Sequence, residues 1–474
     1  MREGTRRLLI PCAAALLTAG ASMMSYAAVG WQNNGGVWSY VTSGGEQVQE
    51  SWKKSGNYWF WLGSDGELTT DALISDDDDY YYVNEMGAQV SNEWRELDDE
   101  DSDNESGTSW YYFGPNGKAY RASESGKTSF KSIKKADGTT RKYAFDSEGR
   151  MLYGWVNEDS ERLDDEDAWR SGTYYLGEEG DGAMTSSAWA KLEVEDDASE
   201  DDDFDGSYWF YFNANGKKAK DTTKTINGRK YLFREDGNAE FKWHQKASGS
   251  VASSNNIYYN EEDQCWQAVG WFKTVPGENV DPEAYEDDEE YWFYAQKSGE
   301  VIKSEIKKIG GQYYAFNEYG EMLYGLYKMS VDDREVISYE EIEGEDDLPD
   351  EDEDLDVYYF GDSPKEGVMK TGTITLDVDG EDYTYNFQKS GSSRGAGYDG
   401  INDGALYRKG RLMKADKDSK LEAITYEGKE YLVNTSGKIQ KKKTNSKDAD
   451  DMYYCTDSQG VITYKGSEKW EKEK

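Results

Sequence analysis

Short runs of aromatic residues alternate with polar, glycine-bearing turns along most of the chain, as in residues 110–113, 208–212 and 291–294. Aromatic-rich runs of this length favour β-strands, and the Asn-Gly or Asp-Gly pairs that follow supply the positive φ angles of tight turns. A short second strand follows each turn, as at residues 118–120 and 150–152, so each unit is predicted to be a β-hairpin. An aromatic residue precedes glycine by six positions repeatedly along the chain, and twelve of these pairs mark the repeat: Phe60/Gly66, Tyr81/Gly87, Tyr111/Gly117, Tyr143/Gly149, Tyr174/Gly180, Phe210/Gly216, Tyr231/Gly237, Phe293/Gly299, Tyr314/Gly320, Tyr385/Gly391, Tyr431/Gly437 and Tyr454/Gly460.

The spacing of these units predicts how the hairpins are assembled. The shortest repeat runs from Tyr58 to Tyr80 and again from Tyr291 to Tyr313, a period typical of small repeat units. A single hairpin is marginally stable in water, whereas stacked hairpins bury their aromatic faces on their neighbours. The predicted fold is therefore all-β, with tandem β-hairpin repeats stacked as an elongated solenoid. Wider spacings contain acidic insertions, predicted to be solvated loops, at residues 96–105, 158–167, 193–205, 283–290 and 340–356.

A longer duplication is also visible within the repeats. The sequence YAF at residues 143–145 leads to MLYG at residues 151–154. The same two segments recur with the same separation at residues 314–316 and 322–325. Two stretches of the chain therefore share more than the basic hairpin pattern.

Composition limits the kind of core and the kind of partner. Hydrophobic residues make up 36% of the 474 residues and aromatic residues 14%, with 38 Tyr and 16 Trp. We therefore expect a thin core of stacked rings. The net charge of −42 argues against nucleic acid as a partner, because its phosphates would be repelled. Cationic or neutral partners fit better.

The first residues have the pattern of a secretory signal peptide. Three arginines precede the mainly apolar residues 8–19, and Ser25 and Ala27 are small residues suited to a cleavage site. No later stretch approaches the roughly 20 apolar residues of a transmembrane helix. Residues 1–27 are thus predicted to be a signal peptide. The mature protein is expected to be secreted and cell-wall associated or extracellular, without spanning a membrane.

The remaining chain is predicted to have two parts. Residues 28–401 form the aromatic hairpin array with acidic insertions, and residues 402–474 form lysine-richer repeats and a tail. Cys12 would be lost with the signal peptide, which leaves Cys265 and Cys455. Two cysteines so far apart in the sequence do not make a disulfide scaffold, so we expect free thiols.

The sequence offers few residues for catalysis or metal binding. His244 is the single histidine, which excludes zinc motifs that need two, and its neighbours show no nucleophile motif. Residues 99–103 begin like an EF-hand loop, but Asn104 stands where glycine belongs and Trp110 where the closing Glu belongs. We therefore expect no catalytic residues, no metal site and no cofactor. Weak Ca²⁺ binding by the acidic loops is left open.

Two short motifs recur between the aromatic strands. One is a Gly-Trp pair, as at residues 154–155 and 270–271, and the other is Gly-x-Met, as at residues 149–151 and 320–322. With the Trp-Tyr-Tyr strands, these motifs resemble the cell-wall-binding (choline-binding-type) repeat family over nearly the whole mature chain. The chain departs from that family in its long acidic insertions and in Leu326, which occupies a Trp position.

The resemblance implies a fold and a kind of ligand site. In that family the hairpins stack into a left-handed β-solenoid, and rings of neighbouring repeats, often with a Met, form ligand boxes between hairpins. A box of ring faces suits a quaternary ammonium such as the choline of teichoic acid, and flat rings also stack on sugars. The matching ligand-binding residues are Trp155 with Tyr174, Tyr175 and Met184; Trp271 with Trp292 and Tyr294; Trp94 with Trp110 and Tyr111; and Trp189 with Trp209 and Tyr211.

Three functions remain open from the sequence. The first is a non-catalytic surface protein that binds a cell-wall polymer, either choline-bearing teichoic acid or a polysaccharide. The second is a structural or adhesin protein that displays its acidic loops to protein partners. The third is the non-catalytic part of a wall-hydrolysing or glucan-binding system. Periodic rings are also needed simply for packing, which is the structural alternative for every Trp and Tyr named above.

Overall fold

The described part of the chain is nearly all β. The structure, a computed structural model, describes residues 29–99, 106–123, 125–195, 206–245, 256–344, 347–349, 353–363 and 367–471. Within these residues there are 36 strands and two short α-helices. The all-β fold of tandem β-hairpins that the sequence predicts is thereby confirmed. The predicted signal peptide, residues 1–27, lies outside the described residues.

The described residues divide into two compact units. Unit 1 comprises the residues up to Thr223 together with Phe233–Ala239. Unit 2 comprises Lys224–Leu232 and the residues from Glu240 onward. The strands that contain the boundaries are β16 (Thr222–Ile226) and β17 (Arg229–Phe233).

Unit 1 is built from short strands and one helix. They are β1 (Gly30–Asn34), β2 (Val37–Val41), β3 (Ser51–Ser55), β4 (Tyr58–Leu62), β5 (Ala72–Asp76), β6 (Asp79–Val83), β7 (Glu93–Asp98), β8 (Thr108–Phe113), β9 (Lys131–Lys134), β10 (Thr140–Tyr143), β11 (Trp155–Val156), β12 (Arg162–Leu163), α1 (Ala168–Ser171), β13 (Tyr174–Tyr175), β14 (Ala188–Glu193) and β15 (Ser207–Phe212). Most of them form two-stranded antiparallel sheets from consecutive strands, and β12, β11 and β13 form a three-stranded sheet.

Unit 2 also consists of hairpins, some of them joined into larger sheets. Its elements are β18 (Trp243–Gln245), β19 (Asn256–Tyr258), β20 (Gly270–Thr274), α2 (Pro282–Glu286), β21 (Tyr291–Ala295), β22 (Glu305–Ile309), β23 (Gln312–Phe316), β24 (Leu326–Asp332), β25 (Glu335–Glu341), β26 (Asp356–Tyr359), β27 (Gly372–Val378), β28 (Glu381–Phe387), β29 (Gly400–Asn402), β30 (Ala405–Arg408), β31 (Arg411–Leu412), β32 (Leu421–Tyr426), β33 (Lys429–Asn434), β34 (Ser446–Lys447), β35 (Tyr453–Thr456) and β36 (Ile462–Gly466). Two five-stranded sheets occur, in the orders β23-β22-β25-β24-β26 and β27-β28-β31-β30-β29.

The main partner of most aromatic strands precedes them, which corrects the predicted hairpin; β35 is an exception, since it pairs with β36 after the Gly460 turn, as predicted. Strand β7 pairs with β8 over six residue pairs, including Trp94 with Tyr112. The segment after the turn glycine, predicted to be the second strand, makes only an isolated bridge, as between Phe113 and Ala119. The aromatic run therefore lies between a long ladder on one side and a single bridge on the other.

The segment that follows the turn glycine also joins each hairpin to the preceding one. The residue two positions beyond the turn glycine donates its backbone N–H to a carbonyl on or beside the second strand of the preceding hairpin, at 2.7–2.9 Å. The donor and acceptor pairs are Leu68/Trp38, Gln89/Trp59, Ala119/Tyr80, Met151/Trp110, Met184/Lys142, Lys218/Thr173, Ala239/Trp209, Met322/Trp292, Met369/Tyr313, Gly397/Val357 and Ile439/Gly404. Sequential hairpins within each unit are thus held in one repeated register.

The core consists of several small clusters. One cluster contains Phe316 and Met322, with Trp292 and Tyr314 partly buried against it. This is the pattern expected when each hairpin buries its face only on its neighbours. The phenylalanines that are almost completely buried are Phe113, Phe145, Phe210, Phe212, Phe233, Phe293, Phe316, Phe360 and Phe387.

The acidic insertions contain more regular structure than predicted. Strand β12 lies within residues 158–167, and helix α2 covers the first half of residues 283–290. Asp281 caps α2, since its carboxylate accepts the backbone N–H of Glu283 and of Ala284. Parts of the insertions at 96–105, 193–205 and 340–356 lie outside the described residues. Acidic composition therefore does not by itself indicate an irregular loop here.

The two cysteines among the described residues carry free thiols. Cys265 and Cys455 are both buried and neither forms a disulfide. In the part of the chain that the structure describes, no helix is long and apolar enough to cross a membrane.

Candidate functional site

Trp94 lies at the centre of an aromatic corner in unit 1. Its ring centroid is 5.1 Å from that of Tyr112 and 6.4 Å from that of Trp110, both on β8. It is also 4.9 Å from Tyr143 and 5.9 Å from Phe145, which belong to the next hairpin. The planes of Trp110, Tyr112 and Tyr143 are inclined by 64–74° to the Trp94 ring. Rings set at such angles enclose a concave corner.

Trp271 lies at the centre of an almost identical corner in unit 2. Its centroid is 5.2 Å from Tyr294 and 6.4 Å from Trp292. It is 4.8 Å from Tyr314 and 5.9 Å from Phe316 of the next hairpin. All four distances are equal or nearly equal to their counterparts around Trp94. The duplicated YAF segments of the sequence supply the second pair of rings in both corners.

A methionine completes each corner. The backbone N–H of Met151 donates to the Trp110 carbonyl at 2.7 Å, and that of Met322 donates to the Trp292 carbonyl at 2.8 Å. Both methionines are more than nine-tenths buried, in clusters with these rings. We call the two sets the Trp94 box and the Trp271 box. Their members are Trp94, Trp110, Tyr112, Tyr143, Phe145 and Met151 in the first, and Trp271, Trp292, Tyr294, Tyr314, Phe316 and Met322 in the second.

A glycine from the following turn packs against the methionine of each box. A Cβ atom at Gly182 would lie 2.3 Å from Met151 Sδ, and one at Gly367 would lie 2.3 Å from Met322 Sδ. Both glycines also have positive φ angles, of 60° and 49°. No larger residue fits there without moving the sulfur, so these glycines help to set the floor of each box.

The Trp94 box opens into a groove that carries charge at its edge. The groove has a volume of about 600 Å³, and Glu93, Lys135 and Asp181 contribute to its lining. Lys135 Nζ lies 3.4 Å from the Asp181 carboxylate. Burial raises the pKa of Tyr112, which keeps this phenol neutral. The box therefore presents uncharged ring faces with carboxylates close by.

Strand alternation explains which predicted residues reach the Trp94 box. Trp110 and Tyr112 point to the same side of β8, because alternate residues of a strand share a face. Tyr111 points to the other side, where it is buried in a cluster with Tyr82 and Phe113. The structure therefore brings Trp94 and Trp110 together as expected but replaces Tyr111 by Tyr112.

The predicted set around Trp155 is split in the same way. The Trp155 ring lies 5.3 Å from Tyr175, its direct partner across the strands. Tyr174 lies on the opposite face, 5.1 Å from Phe130, and Met184 belongs to that same buried cluster. Only Trp155 and Tyr175 of this set share a corner.

The other two predicted sets are assembled as expected. Trp189 lies 6.3 Å from Trp209 and 5.3 Å from Tyr211. The Trp271 set is complete in the Trp271 box. In both sets the two aromatic residues of the second strand are two positions apart, which places them on one face.

Sequence reasoning missed the residues that the next hairpin contributes. Tyr143 and Tyr314 were visible as repeat positions, and Phe145 and Phe316 only as part of the duplication, without any link to the preceding tryptophans. A further corner around Trp52 was not predicted, although its ring lies 5.2 Å from both Trp61 and Tyr81. A search for Trp–x(8)–Trp spacing would have found the Trp52 and Trp61 pair.

The residues considered for catalysis and metal binding are placed as follows. His244 Nδ1 lies 2.7 Å from the buried carboxylate of Glu240. Residues 100–105 of the EF-hand-like segment lie outside the described residues. Among the described residues there is no group of three or more His, Cys, Asp or Glu side chains suited to hold a metal ion.

The comparisons with known proteins give one distant relative. No protein-family model matches this chain. The chain is 27% identical over 117 residues to Glucosyltransferase-I of Streptococcus downei, a match that covers 24% of this chain and 6% of the relative. The match therefore spans a small part of the relative's length.

Solved structures of Streptococcus pneumoniae proteins also match. The modular autolysin LytC in complex with a synthetic peptidoglycan ligand matches with a TM-score of 0.35 and 18% identity, over 63% of this chain and 54% of that chain. CbpJ matches with a TM-score of 0.36 and 15% identity, over 82% of this chain and 99% of that chain. The choline-binding domain of CbpL matches with a TM-score of 0.31 and 20% identity, over 51% of this chain and 98% of that chain. All three TM-scores are below 0.5, so the tandem-hairpin architecture rests on this chain's own strands.

Proposed function

We propose that this chain is a non-catalytic surface protein that binds a quaternary ammonium group, such as the choline of a cell-wall polymer, in its Trp94 and Trp271 boxes. The observation that carries the proposal is the near-identity of two separate ring arrangements, one in each unit. Packing alone requires buried rings, but it does not require the same six side-chain types at nearly equal centroid distances.

The angles between the rings favour a cation over a sugar. A sugar stacks on a flat, open ring face, whereas a trimethylammonium group is held by several ring faces at once. In the Trp271 box the planes of Trp292, Tyr294 and Tyr314 are inclined by 66–83° to Trp271. That corner is concave, and Trp271 itself is 36% exposed at its opening.

Charge supports the same choice of ligand. The chain carries a net charge of −42, so cations are concentrated near its surface. At the groove beside the Trp94 box the carboxylates of Glu93 and Asp181 are accompanied by Lys134 and Lys135, so the attraction comes from the chain as a whole. A polymer that carries both phosphate and choline is therefore expected to approach with its cationic groups first.

Each ring is expected to contribute modestly to affinity. A cation over an aromatic face gains about 0.5–2 kcal/mol, depending on how far it is desolvated. Removal of the central Trp from one box should therefore weaken binding to that box by about 2- to 30-fold. Two boxes on one chain add avidity for a polymer that presents many choline groups.

The direct test is calorimetric titration of the purified chain with choline, tetramethylammonium and the neutral isostere 3,3-dimethyl-1-butanol. The two cations should bind and the isostere should not, because only the positive charge differs between choline and its isostere. Trp94→Ala and Trp271→Ala should each remove one site. Trp470→Ala is the matched control, since Trp470 is an exposed Trp outside both boxes.

A second measurement asks about the polymer. The protein should sediment with purified choline-bearing cell walls and should be released by free choline, while the double variant Trp94→Ala/Trp271→Ala should remain in solution. Equal binding of choline and its isostere would refute the cation proposal. Binding of glucan oligosaccharides in place of choline would assign these rings to sugars.

A further inference from the structure

A third aromatic corner has the geometry of the two boxes. The Trp155 centroid lies 5.3 Å from Tyr175 and 5.1 Å from Phe210. It lies 5.9 Å from Phe212, which like Phe210 belongs to the next hairpin. The corresponding distances in the Trp94 box are 5.1, 4.9 and 5.9 Å. Trp155, Tyr175, Phe210 and Phe212 thus repeat that arrangement.

Lys218 occupies the methionine position of this third corner. Its backbone N–H donates to the Thr173 carbonyl at 2.8 Å, as Met151 donates to Trp110 in the Trp94 box. Lys218 also stands two residues after the turn glycine Gly216, the same place that Met151 and Met322 take after their glycines. The register is therefore the same while the side chain changes from a thioether to an ammonium.

The ammonium group of Lys218 lies among the rings. Its Nζ is 5.0 Å from the Trp155 ring centroid and 5.7 Å from that of Phe210. Nζ also donates hydrogen bonds to the backbone carbonyls of Trp169 and, at 3.1 Å, Arg170 in α1. Only 6% of Lys218 is exposed. The chain has thus buried one of its own cationic side chains in a corner of aromatic faces.

A tryptophan from α1 supplies a wall of this corner. Thr173 stands where the Trp94 box has Trp110, so that wall would be missing. Trp169 instead packs 6.1 Å from Phe210 and 5.5 Å from Tyr208, and it is 3% exposed. Gly172 lets α1 approach Trp155, because a Cβ there would lie 2.6 Å from the indole ring.

We propose that Lys218 is an intramolecular ligand of this third box, which we call the Trp155 box, and that the box becomes a site for small quaternary ammonium ions once the lysine side chain is replaced. The second half of this statement rests on the proposed function. The first half rests only on the position of the ammonium group among the rings.

The test of the first half uses lysine labelled with ¹³C, observed by NMR at pH 6 in the full chain. The ε-methylene protons of Lys218 should be shifted upfield by ring currents, and the shifted signal should disappear in Lys218→Met. In Trp155→Ala the signal should move toward the position of an ordinary lysine. Random-coil shifts for the Lys218 ε-methylene group would overturn the assignment, whether or not the protein binds choline.

The test of the second half is the number of tetramethylammonium sites found by calorimetry. Lys218→Met should bind one more ion than the unmodified chain, with an affinity within about tenfold of the other boxes. Adding Trp155→Ala should abolish the additional site. Lys217→Met, which changes the exposed neighbouring lysine, should add none. If Lys218→Met does not fold, as judged by circular dichroism, Lys218→Ala replaces it.

The outcomes separate this proposal from the proposed function. An unchanged number of sites in the Lys218 variant, with binding intact at the Trp94 and Trp271 boxes, overturns the latent site alone. Loss of all tetramethylammonium binding in the unmodified chain overturns the proposed function, and the NMR measurement then still decides where the Lys218 ammonium lies.

Discussion

Replacement of Lys218 by Met should stabilise the protein most at low pH. Burial, together with the positive charge of nearby Lys220, lowers the pKa of Lys218 from 10.5 to about 7, and Asp236 acts in the opposite direction. In the unfolded chain the lysine keeps its ordinary pKa. Below pH 7 both states hold the proton, so the folded state bears the full cost of a buried cation. Between pH 7 and 10.5 only the folded state loses the proton, and stability rises with pH.

The size of the effect follows from the same pKa values. A difference of about 3.5 pH units, at about 1.4 kcal/mol per unit, corresponds to about 5 kcal/mol over the whole range. Between pH 6 and pH 9 the titration of Lys218 should raise the free energy of unfolding by about 3 kcal/mol. Lys218→Met lacks this titrating group. The variant should therefore exceed the unmodified chain in free energy of unfolding most at pH 6, and this difference should shrink by about 3 kcal/mol from pH 6 to pH 9.

The assay is chemical unfolding followed by Trp fluorescence at pH 6, 7, 8 and 9. Lys217→Met is the matched control, because Lys217 is exposed and its hydrogen bond to Glu158 raises its pKa. Its difference from the unmodified chain should stay constant over this range. A difference for Lys218→Met that changes by less than about 0.5 kcal/mol between pH 6 and 9 would refute the reasoning.

Three further predictions concern the boxes, the core and the tyrosines. Gly182→Ala should weaken choline binding at the Trp94 box, measured by calorimetry, more than Gly180→Ala does. The reason is that a Cβ atom at Gly182 would meet Met151 Sδ, whereas one at Gly180 would meet nothing within 4 Å. Equal effects of the two substitutions would mean that the sulfur does not shape the box. Phe293→Ala should destabilise the protein by about 3–5 kcal/mol in urea unfolding, since this ring is fully buried, and a loss below about 1 kcal/mol would contradict its place in the core. Burial raises the pKa of Tyr259 from 10.0 to about 12, and the same direction holds for other buried tyrosines such as Tyr111, so stability should fall as pH rises from 10 to 12. The last phase of the absorbance change at 295 nm should coincide with the loss of circular dichroism, and complete tyrosine ionisation near pH 10 without unfolding would be the contrary result.

Some features of the site were readable from local sequence. Turn residues and alternating aromatic positions depend on a few neighbouring residues, so the hairpins were predictable. Trp189, Trp209 and Tyr211 were grouped correctly because the last two are two positions apart on one strand. Trp110 was grouped with Tyr111 instead of Tyr112, an error that the same alternation corrects.

Other features depend on contacts between hairpins. In most repeats the long ladder of the aromatic strand forms with the strand before it, although the visible turn follows it. The reason is that the segment after that turn bonds to the preceding hairpin and makes only a bridge to its own aromatic strand. Tyr143 and Tyr314 enter the boxes from the following repeat. No spacing rule within one hairpin contains that information.

The sequence by itself determined that this is an all-β chain of aromatic hairpins with tryptophans at repeated positions, because strand alternation and turn geometry are set by adjacent residues. Only the tertiary structure decided which rings meet and what lies between them. Met151 and Lys218 occupy the same register after a turn glycine, yet one lines a box and the other places its charge inside one. The physical reason is that the side chain at that position reaches into the preceding hairpin, so its role is set by rings distant in sequence.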